Sequence, residues 1–108
     1  MPRLPSDLGP GEPGEIVDYP IDFGPLRTGV TISSAAWHLT VRYVAPSFAL
    51  DPAPQSRVSG SATVAASVTT QRIAGLQPGN TYLVTATATM SDGEVIILWC
   101  ALPCVPPA

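Results

Sequence analysis

The chain of 108 residues has no lysine, a single histidine and two cysteines, and charged residues make up only 12% of it. Each scarcity excludes something. Five arginines against eight acids give a formal net charge of −3, and with no basic cluster there is no phosphate-neutralising footprint for nucleic acid. The lone imidazole, His38, sits beside Trp37 in a β-rich run with no acid near it in sequence, a poor base for a nucleophilic triad. A surface or interface histidine is the better reading. Two thiols and one imidazole fall short of a four-ligand zinc site, and neither a glycine-rich phosphate loop nor an Asp-rich calcium loop is present. Asp18 and Asp22 share a strand face roughly 13 Å apart, too far for a glycosidase pair. The expectation is a chain with no catalytic, cofactor-binding or metal-ligating residue and no cofactor.

Long apolar runs are also missing. The longest, Val95 to Leu102, is eight residues, under half a membrane span. The start has no cationic region leading into an apolar stretch, so synthesis in the cytoplasm without a signal peptide, and no membrane contact, are expected. Cys100 and Cys104 lie too far apart in a straight strand to bond, although a turn at Pro103 could bring them together; two buried free thiols are favoured over a disulfide. The weakly charged surface tends to be one that something covers.

What is present is β pattern. From Tyr82 to Met90 the residues alternate, with Tyr82, Val84, Ala86, Ala88 and Met90 on one side and Leu83, Thr85, Thr87 and Thr89 on the other. Period two means a strand with one buried face. Asp92-Gly93 follows, a dipeptide expected to form a type I′ hairpin turn into a returning strand from Glu94 to Leu102. Upstream, Glu15 to Phe23 reads as an edge-type strand, since Pro20 cannot donate to a ladder. Val30 to Val41 follows with Ala35, Trp37, Leu39 and Val41 on one face, and Trp37 is the expected centre of the core. A short strand at Ser47 to Leu50, a turn at Asp51 to Gln55, a small polar segment from Arg57 to Ser67 and a strand from Val68 to Ile73 complete the series.

Short strands between turn signals, with no helical period, give an all-β sandwich. The spacing Leu76-x-Pro78-Gly79-x-x-Tyr82 resembles a tyrosine corner, in which a strand-leading tyrosine turns its hydroxyl back onto upstream backbone in Ig-like and fibronectin-III-like sandwiches. The expected organisation is an extended Pro-rich N-terminal arm over residues 1–15, an Ig-like β-sandwich over 16–104 and a short tail over 105–108. Prolines at 2, 5, 10 and 13 stiffen the arm, and its Leu4 and Leu8 are candidate contacts to a neighbouring subunit. The expected core and corner residues are Tyr19, Trp37, Leu76, Tyr82 and Val84, with Asp92 and Gly93 as the turn. Because Val95 to Cys100 is apolar on both faces, Ile96 and Leu98 are further candidate partner contacts.

Two segments carry a family resemblance. Glu15-Ile16-Val17-Asp18-Tyr19-x-Ile21-Asp22-Phe23, then Leu26, then Gly29-Val30-Thr31-Ile32-Ser33-Ser34-Ala35-x-Trp37 is similar to the opening of small Ig-like tailed-phage virion proteins, the fibre–tail adaptor and tail-associated structural proteins. Gly79, Tyr82, Val84, Ser91 and Gly93 match that family's C-terminal hairpin. The resemblance implies a non-enzymatic virion part in contact with tail, portal-proximal adaptor or fibre subunits and with copies of itself. Two other roles fit the same architecture: a capsid decoration or cement protein, and a cellular fibronectin-III-like adhesion or carbohydrate-binding module. The last is disfavoured, because seven aromatic residues are too few to fill a core and also pave a sugar-binding face.

Overall fold

The computed structural model describes residues 8–26 and 29–104. Six strands follow one another: β1 (Ile16–Asp22), β2 (Ile32–Val44), β3 (Val58–Ala65), β4 (Val68–Ala74), β5 (Asn80–Met90) and β6 (Val95–Pro103), with one 3-10 turn at Pro54–Arg57 before β3. They form two three-stranded antiparallel sheets, ordered β1-β4-β3 and β2-β5-β6. The described residues are all-β, and the two sheets face each other as a sandwich.

The alternation along β5 dictates its place. Asn80, Tyr82, Val84, Ala86, Ala88 and Met90 are all buried, and the residues between them are half-buried, as expected of a central strand with one face on the core. Tyr19, Ile21 and Phe23 project inward from the β1 side of the opposite sheet. Trp37 crosses the interior to join the sheets, its indole Nε1 donating to Thr69 Oγ1 on β4 at 3.2 Å. The ring therefore fills space and ties one sheet to the other through a satisfied buried polar group.

Sheet edges are handled by local chemistry. Pro20 lies on β1, an edge strand, opposite Thr70, and its missing N–H blunts that edge. On β2 the Gln55 side chain takes the position of a neighbouring strand. Leu39 N–H donates to Gln55 Oε1 at 2.9 Å, and Gln55 Nε2 donates to the Trp37 carbonyl at 3.2 Å. β3 is interrupted by a register shift between Ser59 and Thr63, and buried Gln71 Nε2 reaches from β4 to the freed carbonyls of Ser59 and Gly60. Beside β6 run residues 8–11, with Leu8 N–H donating to the Ala101 carbonyl and Gly11 N–H to the Pro103 carbonyl, and a parallel bridge pairing Gly11 with Cys104.

Three expectations are corrected. The 91–94 turn is not type I′: Gly93 has φ +89 but Asp92 does not have positive φ. Gly93 N–H donates to the Met90 carbonyl and Met90 N–H to the Glu94 carbonyl, so a type I turn over Ser91 and Asp92 is followed by a left-handed glycine. Asp92 Oδ1 accepts from Glu94 N–H at 3.0 Å, which favours this wider loop. Ser47 to Leu50 is a loop rather than a strand, because Pro46 and the positive φ of Ser47 (72°) reverse the chain there. Leu98 is not at a partner surface; it is 3% exposed inside the sandwich, and half-buried Ile96 packs against the same core. The outward residues of β6 are Val95 and Ile97.

Gly93→Val should lower stability by about 1–3 kcal/mol, since a β-branched residue is forced toward positive φ although no atom stands within 4 Å of the added Cβ. In a domain of this size that is a fall of roughly 4 °C or more in melting temperature. An unchanged melt would mean that the loop relaxes to another turn at no cost.

Candidate functional site

Among the described residues no catalytic constellation assembles. His38 is exposed on the outer face of β2, opposite Thr85, and Asp18 is occupied by Arg72 at 2.9 Å. Among the described residues no group of three or more His, Cys, Asp or Glu side chains could hold a metal ion. Cys100 and Cys104 are both buried and are not bonded to each other. A shallow groove on the outside of the β1-β4-β3 sheet is lined by Asp18, Ser59, Gly60, Ser61, Thr63, Thr70 and Arg72; it contains no aromatic platform for a sugar.

The chemistry of the molecule is concentrated instead in a buried polar node at the end of the sandwich where β5 begins. The β4–β5 turn sets Tyr82 beneath its own upstream backbone, so its hydroxyl accepts from Gln77 N–H at 2.9 Å and donates to Asp51 Oδ2 at 2.7 Å. Asp51 is 2% exposed, a burial that an unpaired carboxylate could not sustain. Arg57 answers it with two bonds of 2.9 Å, from Nε to Oδ2 and from Nη2 to Oδ1, the fork geometry that suits a carboxylate. Ala53 N–H adds a third donor at 3.0 Å. The Arg57 guanidinium, ahead of the other bonds and against burial, holds the Asp51 carboxyl down to about 2. Burial pushes the Tyr82 phenol up, so it stays a donor to Asp51.

Asn80, fully buried, completes the node. Its Oδ1 accepts from Asp51 N–H at 3.0 Å, while Nδ2 donates to the Ala49 carbonyl at 3.0 Å and the Pro78 carbonyl at 3.2 Å. One amide thus clamps the peptide groups on both sides of Leu50, which is itself 62% exposed. Nearby, Ser47 turns the chain so that Phe48 N–H donates to the Ala45 carbonyl, and the Phe48 ring lies on Gly79, where any side chain would collide with it. Phe48 and Leu50 in this loop and Tyr43 near the end of β2 are each exposed.

Of the residues singled out from sequence, Tyr19, Trp37, Leu76, Tyr82 and Val84 are buried in one core. Leu8 packs half-buried against that core rather than projecting away from it, and Leu4 lies outside the described residues. Asp51, Arg57 and Asn80 were not anticipated. Asp51 stands before a proline and Asn80 after a Pro-Gly turn, positions where such residues ordinarily serve the turn itself, so nothing local signals a partner 29 or more residues away.

A family model described as podophage GP4 fiber-tail adaptor protein gp77 matches residues 12–98, which takes in all of β1 through β5 and the first part of β6. No curated protein matches the chain.

Tyr82→Phe should cost about 1–3 kcal/mol, because Gln77 N–H and Asp51 each lose a buried partner while the ring is kept; coincident urea midpoints for variant and parent would remove the corner from the account of stability. Acid should act through Asp51. A carboxyl whose folded value is about 2, below the ordinary 3.8, gives stability that is complete above about pH 4 and drains away as pH falls through 2, about 2 kcal/mol in all. Asp51→Asn should be less stable at neutral pH and show a shallower loss between pH 4 and 2, measured by urea melts across that range.

Proposed function

The chain belongs to the podophage fibre–tail adaptor family, and from that premise we propose that it is a structural part of a phage tail that joins fibre to tail through protein–protein contacts and performs no catalysis. The match over residues 12–98 carries this reading. Its charge supports it: a net charge of −3 without a basic cluster gives no hold on nucleic acid, and no helix among the described residues is long and apolar enough to cross a membrane. The place of action is the virion.

We read the sandwich as Ig-like. Its orders β1-β4-β3 and β2-β5-β6 correspond to the B-E-D and C-F-G strands of an Ig domain, with Trp37 on β2 in the place of strand C and the corner tyrosine opening β5 in the place of strand F. Residues 8–11, parallel to β6, take the place beside the last strand. We assign the assembly role of the N-terminal arm, residues 1–15, to the part that precedes Leu8 and contains Leu4. The remainder of the arm, through Leu8 and Gly11, serves its own domain.

Mass spectrometry of purified virions and of isolated tails should find this protein in both, and its absence from particles would overturn the reading. Deleting residues 2–7 should leave the melting transition near that of the parent while reducing incorporation. Deleting 2–14 should in addition lower the melting temperature, since it removes the bonds from Leu8 and Gly11 to β6. Normal incorporation of both truncations would dismiss the arm.

A further inference from the structure

We propose that the seat beside β6 filled by residues 8–11 is an exchange site, which the same residues of a second copy of this chain can occupy, linking two copies without moving any of the six strands. That copies do so inside a particle rests on the adaptor reading; that the seat accepts a second copy's residues does not.

The seat identifies its occupant. A Cβ on Gly11 would stand 3.0 Å from Leu76 Cδ1 and 3.1 Å from the Tyr19 hydroxyl, and one on Gly9, where φ is +79, would stand 2.8 Å from Leu102 Cδ1. Side chains are therefore refused at both positions. Leu8 packs against the core, while the N–H groups of Leu8 and Gly11 donate to the carbonyls of Ala101 and Pro103 on β6 at 3.1 and 2.9 Å. What fits is a leucine with glycine at the first and third positions after it. Leu8-Gly9-Pro10-Gly11 has that pattern, and no other leucine in the sequence is followed by glycine. A strand with side chains at those two positions is shut out, whereas a second copy brings the same four residues.

The segment is also separable from its own sandwich. It pairs beside β6, whereas β1 belongs to the opposite sheet, so the chain path between the two runs through residues 12–15 alone. Those residues make a turn of the Pro-Gly kind, with φ +77 at Gly14. Glu15 N–H donates to the Glu12 carbonyl at 3.2 Å, and Glu12 N–H to Glu15 Oε1 at 3.3 Å. Both bonds are long, and Glu12, Gly14 and Glu15 are exposed, so water replaces the bonds at little cost. Opened, four residues reach about 13 Å toward a neighbour. Exchange restores every bond in the seat and gives up only the turn, the condition under which copies trade an identical element cheaply. Copies held side by side raise the effective concentration of the second segment.

Gly14→Pro in the full chain separates the two arrangements. Proline cannot take positive φ, and nothing lies within 4 Å of a Cβ at this position, so the turn is lost without a clash and the segment no longer folds back onto its own β6. By light scattering after size exclusion, the purified variant should have a multiple of the 11.2 kDa chain mass, and its melting temperature should rise with protein concentration. Adding Gly11→Val to the same chain should return it to the single-chain mass, because Leu76 and Tyr19 refuse the new side chain. A Gly14→Pro chain that stays monomeric at every concentration would overturn the proposal. So would association that survives Gly11→Val, since the contact would then lie elsewhere, and so would loss of the melting transition, since the sandwich would then require its own segment in place. These measurements involve no phage, so their failure leaves the adaptor reading standing, and absence of the protein from virions leaves the exchange standing.

Discussion

The buried carboxylate of Asp51 is the constraint on which one end of this molecule depends. An ionised side chain that water cannot reach must be answered by the protein, and the answer draws in Arg57 at the end of the 3-10 turn, the Ala53 amide and the hydroxyl of Tyr82 at the start of the central strand. Because Tyr82 also accepts from Gln77 N–H, the β2–β3 loop and the β4–β5 turn cannot shift independently. Asn80 extends the same bonding to Ala49 and Pro78. Among the described residues no buried side-chain nitrogen or oxygen is left without a partner, which is the condition under which a polar network stiffens a structure instead of weakening it.

How much of this was legible depended on whether a residue's role was local. The alternation of β5 is a property of successive residues, so its inward face could be read directly, as could the edge position of the Pro20 strand. The place of Tyr82 was legible because Pro78-Gly79 stands at a fixed short distance before it. Periodicity failed where both phases were apolar: in Val95-Ile96-Ile97-Leu98 either set could face the core, and the register with β5, which sets Leu98 opposite Ala86, decided against the outward reading. Asp92-Gly93 misled in another way. The dipeptide fixes a glycine with positive φ but not the loop length, and the Asp92 side chain bonding forward to Glu94 selected the longer form. The ties of Asp51 to Asn80 and Tyr82 were invisible because they join residues 29 and 31 apart, a separation that no spacing rule spans.

Membership of a tail-adaptor family gives the treatment of the strand edges a meaning that the isolated fold does not have. A particle brings copies of its parts to high local concentration, and an unguarded edge would add strands without limit. Pro20, the amide of Gln55 and the interrupted β3 each remove one such opportunity by a different chemical means. Loops and chain ends, by contrast, can vary without disturbing the sandwich.

The short parallel stretch of residues 8–11 beside β6 also fixes how the domain would respond to tension. The chain enters along β6 from the Ala101 side and leaves at Cys104 beyond the same strand, so a pull that separates its two ends would slide these neighbours past each other. The bonds from Leu8 to Ala101 and from Gly11 to Pro103 run across that direction and would be strained together, whereas a peeling force would break them in turn. Forced unfolding is limited by the barrier to rupture and not by equilibrium stability. A few crosswise bonds loaded at once thus act as a mechanical clamp at the point where residues 8–11 meet the sheet.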